Sequence, residues 1–257
     1  MEMTKEERFG IACEKVIGKH ARQNDRVGTL GEKTLHAVLK HYLEPDAEKH
    51  EIKCGSYFAD VLNEDGIFEI QTRNFGKLRP KLDYFLEFSD VTIVHPIPKL
   101  KYVCWVNGET GEIAEKRKSP KKGNLCDLYR EMVGLKNYIG HPRLHFLFLE
   151  LELVEYKLLD GWSKDKKKGS TKIDRIPSAL LGEIRLSAKE DFRMMIPEGL
   201  PERFMTKDFK KKAHASDKGA SAGISLLKNL GFIRQVGKEG RAYLYEVVNS
   251  DENCRAE

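Results

Sequence analysis

The segment Tyr57-Phe58-Ala59-Asp60-Val61-Leu62-Asn63-Glu64-Asp65-Gly66-Ile67-Phe68-Glu69-Ile70-Gln71-Thr72 reads as a β-hairpin that carries acids where strands are normally apolar. In the second arm Ile67, Glu69 and Gln71 alternate with Phe68, Ile70 and Thr72. In the first arm Phe58, Asp60 and Leu62 share a side, because successive strand side chains point to opposite faces. Two closures are open. With Glu64-Asp65 as a two-residue loop, Asp60 stands directly opposite Glu69. With Asp65-Gly66 as a type I′ turn, which that dipeptide favours, Asp60 stands opposite Gln71 and diagonal to Glu69. Either register gathers Asp60, Glu69 and Gln71 on one face, since cross-strand partners share a face. Carboxylates that close repel one another, and burial raises the cost. A divalent cation turns that repulsion into binding.

An acidic but solvent-facing hairpin is the plain alternative. Three features weigh against it. Phe58, Val61, Phe68 and Ile70 make the hairpin look like the middle of a sheet. Arg73 continues the side of Glu69 and Gln71 and would bring a cation for a phosphate. Glu32 lies one turn before Leu35 and Leu39 on a stripe that also holds Val38, Tyr42 and Leu43, so it is aimed at whatever that helix covers.

A chain of 257 residues holds one large domain or, more in keeping with its length, two. Its 40% hydrophobic content can build real cores, while 33% charged residues leave an ionic surface with a net charge of +5, which suits a polyanionic partner. No run approaches the ~18 apolar residues of a membrane span. The opening residues Met1 to Glu7 do not read as a signal peptide. The five cysteines are scattered without a CxxC pair, which supports neither a zinc ribbon nor a disulfide framework and suits a reducing cytoplasm. His36 with His41, and His141 with His145, could pair on a helix as metal ligands, but the first pair lies on a helix its apolar stripe explains and the second sits among loop residues. Both pairs are read as structural or exposed.

Residues 1–25 have the apolar spacing of a helix through Phe9, Cys13, Val16 and Ile17, and the Glu32 helix runs to about Leu43 before Glu44-Pro45-Asp46 stops it. Strands are expected near 49–53, 57–62 and 67–73, and a helix through Leu78, Leu82, Phe85 and Leu86 is entered at Pro80. Val91 to Pro96 is a continuous apolar strand of the buried parallel kind, reached by a right-handed crossover. A separate strand is expected at Lys101 to Val106, then a hairpin at Asn107 to Gly111. The basic loop Arg117-Lys118-Ser119-Pro120-Lys121-Lys122-Gly123 suits a solvated linker and a phosphate contact equally. A short helix follows at Asp127 to Leu135, then a long strand at Leu144 to Leu159 and a Lys-rich linker or wing-like insert from Gly161 to Lys172.

The last third changes character. Thr206 reads as the N-cap of a short helix, Asp217 to Leu230 as a second helix, and Gly231 to Val247 as a hairpin with a basic tip. Helix, turn, helix and basic hairpin make a winged helix-turn-helix, whose second helix enters the major groove. Ser216, Lys218, Ser221, Ala222 and Ser225 would face the groove, and Arg234, Lys238 and Arg241 would meet phosphates on the wing. Protein contact is the competing use of such a module.

Glu32 on a helix, Asp60 on a strand and Glu69-x-Gln71 on the next strand resemble the PD-(D/E)xK nuclease superfamily over about residues 26–106. The likeness to winged helix-turn-helix domains runs from about Phe204 to Val247. The resemblance implies an α/β fold: a restriction-endonuclease-like mixed sheet flanked by helices over 1–160, a linker or insert at 161–185, and a small winged-helix domain at 186–250. It also implies that Asp60, Glu69 and the carbonyl of Ile70 hold Mg²⁺, with Mn²⁺ as a substitute, and that Glu32 binds a second ion or orients water. Gln71 stands where the superfamily usually has lysine, as in active variants of it. Glutamine can orient water but supplies no charge, and Arg73 or an ion held by Glu32 would compensate.

The expected activity is metal-dependent hydrolysis of DNA phosphodiester bonds by an endonuclease, with no nucleotide cofactor, since no P-loop or GxGxxG is present. The catalytic set is Glu32, Asp60, Glu69 and Gln71; Arg73, Lys218, Ser221, Arg234, Lys238 and Arg241 are the DNA contacts. DNA is the expected partner and a membrane is not; a homodimer stays open. The competing function is a non-catalytic DNA-binding protein built on an inactivated nuclease fold, and the weaker one is a protein-interaction module.

Overall fold

The computed structural model describes residues 3–23, 33–162 and 168–248. The chain divides into two compact units, the first made of 1–72, 89–123 and 146–184, the second of 73–88, 124–145 and 185–257. Among the described residues no helix is long and apolar enough to cross a membrane.

The first unit is α/β. Helices α1 (Lys5–Gln23) and α2 (Lys33–Leu43) are followed by strands β1 (His50–Cys54), β2 (Tyr57–Asn63), β3 (Gly66–Ile70), β4 (Val91–Asn107), β5 (Arg117–Lys118), β6 (Leu144–Trp162) and β7 (Lys168–Leu186). They form a mixed sheet of order β1-β2-β3-β4-β6-β7, with β5 on β4. β1, β2 and β3 run antiparallel in turn, and β3 lies parallel to β4. The apolar stripes of the two helices close on one side of the sheet. Phe9, Val16, Leu35, Leu39 and Tyr42 pack with Val61, Phe68, Ile70 and Val94. Val38 and Leu39 are wholly inaccessible to water, and each such burial stabilises by roughly 1.5–3 kcal/mol.

The β2–β3 hairpin closes through Glu64-Asp65, with Asn63 paired to Gly66 and Val61 to Phe68. The Asp65-Gly66 turn favoured by composition does not form. Gly66 serves a different need. It holds a φ of 106°, and a Cβ there would lie 2.5 Å from the Asp90 carbonyl oxygen, which accepts from the Ile67 N–H at 2.9 Å. Glycine is therefore required by the approach of β3 to the start of β4.

The second unit begins with α3 (Arg79–Phe85) and α4 (Tyr129–Met132). It continues with β8 (Arg203–Met205), α5 (Thr206–Lys212), α6 (Asp217–Asn229), β9 (Ile233–Glu239) and β10 (Ala242–Val247). The three strands make a small antiparallel sheet of order β8-β10-β9. Tyr129, Phe204, Phe209 and Phe232 are fully buried here. Gly223 of α6 faces two of those rings, and a Cβ there would come within 2.8 Å of both Phe209 and Tyr129.

Several expectations are corrected. Residues 91–107 form one strand rather than two. Pro96 and Pro98 do not break it because the β3 ladder ends at Val94, so their missing N–H groups cost no ladder bond there. The stretch 161–185, expected as a linker or insert, holds all of β7 but its last residue. Arg175 donates to Glu155, and Ser178 to Glu152, so β7 runs back along β6. The division at 160 also fails, because 73–88 and 124–145 join the C-terminal residues in the second unit. Tyr129 donates from its hydroxyl to the Met195 carbonyl and packs on Phe209, and these are contacts no contiguous boundary anticipates. Thr206 is the first residue of α5 rather than its cap, and Asp208 reaches back to accept from the Met205 N–H at 2.9 Å.

Candidate functional site

The register that forms carries Asp60 opposite Glu69, but the β2–β3 ladder runs only between Val61–Phe68 and Asn63–Gly66. The Ile67 N–H and Gln71 N–H point to β4, donating to Asp90 and Val94. Backbone alternation therefore turns the Ile70 N–H and C=O toward β2. In an unbroken ladder the Ile70 N–H would meet the Ala59 carbonyl. Instead it donates to Oδ2 of Asp60 at 2.8 Å. Asp60 thus sits where the two strands part, with its carboxylate in place of a backbone acceptor and beside the turned Ile70 carbonyl.

Neighbouring groups build out from this point. Oδ2 of Asp60 also lies 3.3 Å from Nε2 of His36 on α2. One turn further along α2, Lys40 donates to Glu51 at 2.7 Å. The hydrogen bond and charge of Lys40 hold the Glu51 carboxyl below its usual range, while Asp60 pulls the other way and His36 adds to the lowering. β1 pairs with β2 at His50–Val61 and again from Ile52–Ala59. Between them Glu51 holds a left-handed φ of 53°, a conformation that costs a non-glycine residue about 1 kcal/mol or more.

Glu69 is buried at 3% exposure, within β3, and alternation directs it away from the helix-facing Phe68 and Ile70. The strand ends at Ile70, so the Gln71 side chain follows an irregular turn. Its backbone remains fixed. The N–H reaches Val94 at 2.8 Å, and the carbonyl is 2.6 Å from Nδ1 of His95. A carbonyl only accepts, so Nδ1 carries the proton. Burial drives the His95 pKa from 6.5 down to about 4; the bond to Gln71 opposes that and the charge of Arg175 assists it.

The structure therefore places the Asp60 carboxylate on the Ile70 N–H and beside His36 of α2, while alternation directs the buried Glu69 to the face away from the helices and Gln71 follows the end of β3. Arg73 does not continue the β3 alternation, because the strand has ended; it is exposed and belongs to the second unit. Glu32 lies outside the described residues. His36, Lys40 and Glu51 were not singled out as site residues by the sequence. The signal for the first two was their i, i+4 spacing on the face beside the apolar stripe.

Two carboxylates and a carbonyl are hard oxygen donors of the kind that hold Mg²⁺ or Mn²⁺ while several waters remain bound. Among the described residues no three His, Cys, Asp or Glu side chains converge as a metal-binding group.

In the second unit, Lys218, Ser221 and Ser225 are exposed on α6, whereas the Ser216 hydroxyl caps that helix by accepting from the Gly219 N–H at 3.1 Å. Arg234 and Lys238 are exposed on β9 and Arg241 at the hairpin tip. Arg234 pairs with Glu246, and Lys238 lies 4.9 Å from the Tyr243 ring centre.

The model of a domain of unknown function, DUF8091, matches residues 33–187, a span from α2 to the end of β7 that contains Asp60, Glu69 and Gln71. An uncharacterized protein of Treponema pallidum (strain Nichols) is 30% identical, covering 88% of this chain and 90% of that one. That coverage extends the likeness beyond the matched domain. No solved structure matches the chain.

Proposed function

We propose that this chain, which belongs to the DUF8091 family, is a metal-dependent nuclease that hydrolyses DNA phosphodiester bonds. In this reading the first unit is restriction-endonuclease-like and the end of the second unit is a winged helix. The observation that carries it is Asp60 at the parting of β2 and β3, its carboxylate taking the Ile70 N–H at 2.8 Å. Ladder geometry alone would need a carbonyl there. An acid in that position, with a buried Glu69 one residue before Ile70, is costly for a sheet and useful for a cation.

A divalent cation bound there would polarise the scissile phosphate and ease deprotonation of the attacking water. Asp60 and Glu69 would hold it with the Ile70 carbonyl, and the Ile70 amide fixes the orientation of Asp60. The Gln71 side chain would orient water by hydrogen bonding without adding charge. Nε2 of His36 lies 3.3 Å from the same Asp60 carboxylate.

The order β8, α5, α6, β9, β10, with β10 between the other two strands, supports the winged-helix reading. Lys218 and Ser221 of α6 would enter the major groove, and Arg234, Lys238 and Arg241 would meet phosphates. Arg73 would serve as a further DNA contact. The second reading, DNA binding without cleavage, is favoured by Gln71, which supplies no charge where the superfamily usually has lysine.

Incubation of plasmid and oligonucleotide substrates with Mg²⁺ or Mn²⁺ separates the two. Cleavage by the wild type that is lost in Glu69→Ala supports the nuclease. DNA binding with no cleavage in either metal supports the scaffold.

A further inference from the structure

The sequence carries a basic run, Arg117 to Lys122, that the proposed nuclease site does not use. The fold fixes it in place. Arg117 and Lys118 form β5, paired with Val103 and Tyr102 of β4, and the Ser119 N–H donates to the Lys101 carbonyl at 2.8 Å. Across the same sheet, β6 and β7 concentrate cations on one acid. The Glu155 carboxylate, 5% exposed, has Arg175 at 3.2 Å, Lys157 at 3.3 Å and Lys172 at 3.8 Å. Burial pushes its pKa up, yet Lys101, Lys172, Arg175 and Lys157 together bring it below the ordinary value.

One buried carboxylate needs one well-placed cation to offset its desolvation. Here Arg175, Lys157 and Lys172 lie at 3.2–3.8 Å and Lys101 adds to their field. The neighbouring Asp174 is also buried, at 1% exposure. Lys157, Lys172 and Arg175 keep 24–35% of their side chains in water, so their charge reaches solvent. An aromatic face lies among these cations, with Lys157 5.5 Å from the Trp105 ring centre. Cations crowded in this way repel one another, and an anion with many charges at regular spacing relieves the repulsion.

We propose that β4 to β7 present a nucleic-acid-binding surface, on which Lys101, Lys157, Lys172 and Arg175 with Arg117 of β5, which shares the face of Lys101 through its pairing with Val103, receive a phosphodiester backbone. This surface is built from the first unit alone and does not depend on α6 or its hairpin. The binding itself requires no hydrolysis.

The test measures affinity of the full chain for a fluorescent DNA duplex, and for its separated strands, by anisotropy in chelator over a salt titration. Lys157→Gln with Lys172→Gln leaves Lys101 and Arg175 on Glu155, so the buried acid keeps its compensation. Arg117→Gln alters only an exposed side chain. The double variant is expected to lower the slope of log affinity against log salt by about 2, and Arg117→Gln by about 1, at about 0.9 per phosphate contact. Lys53→Gln with Lys189→Gln, both exposed and remote in sequence, is the control for net charge and leaves the slope unchanged. Slopes equal to wild type in both sheet variants overturn the proposal, as does affinity for anionic vesicles with none for DNA. Cleavage that persists beside unaltered slopes removes this surface and leaves the nuclease reading standing. Loss of cleavage in Glu69→Ala bears on the nuclease alone.

Discussion

Acid should destabilise the first unit through His95, and the structure gives the sign and the size. The ring is buried, donates from Nδ1 to the Gln71 carbonyl at 2.6 Å and lies edge-on to Phe148. Protonation would put a charge on Nε2 in that setting, with Arg175 adding repulsion. The folded pKa is therefore about 4, against 6.5 when exposed. Between those values the unfolded chain binds the proton more readily than the folded one, so stability rises with pH across the window. The contribution is whole above 6.5 and is lost as pH falls toward 4. At about pH 4.5 the loss is roughly 2–3 kcal/mol relative to neutral pH. His95→Asn keeps a donor for Gln71 and removes the titration. Both tryptophans, Trp105 and Trp162, belong to the first unit, so urea unfolding followed by tryptophan fluorescence reports on it. Carboxylates elsewhere titrate alike in both proteins. The difference between their acid losses should thus be about 2–3 kcal/mol. Equal acid losses would refute the reasoning.

The remaining predictions concern packing and the site. Gly223→Ala drives a methyl into the buried Phe209 and Tyr129 rings; overpacking of roughly 1–3 kcal/mol outweighs a helix-propensity gain of at most about 1. A calorimetric Tm several degrees lower is expected, and an unchanged or raised Tm would show that the rings yield. Asp60→Ala leaves the Ile70 N–H without its acceptor at a cost of about 1–3 kcal/mol, whereas Asp60→Asn retains an acceptor. Melting should rank wild type, then Asn, then Ala, and equal losses would mean that the Asp60–Ile70 bond contributes nothing.

The elements most legible in the sequence are those with long periodic stripes. α2 and α6 follow the spacing of Leu35, Val38, Leu39, Tyr42 and of Ile224, Leu227, Leu230, and β3 beside β4 follows the apolar run from Val91. Asp60 and Glu69 were visible as misplaced acids, but their register was left between two turns. Local chemistry favoured Asp65-Gly66, and the tertiary approach of Gly66 to Asp90 decided for Glu64-Asp65. β7 was hidden because its lysines suggested solvent, when Lys172 and Arg175 in fact answer the buried Glu155 on the neighbouring strand. His36 was hidden for a similar reason. Its meaning depends on Asp60, which is 24 residues away in sequence and 3.3 Å away in space.

Manganese binding tests the central claim most directly. Electron paramagnetic resonance of the wild-type chain titrated with Mn²⁺ should show free-ion signal suppressed by a saturable site, and Glu69→Gln and Asp60→Asn should each restore it. A signal that tracks added Mn²⁺ from the first increment, or suppression equal in all three proteins, would mean that these carboxylates do not form a cation site.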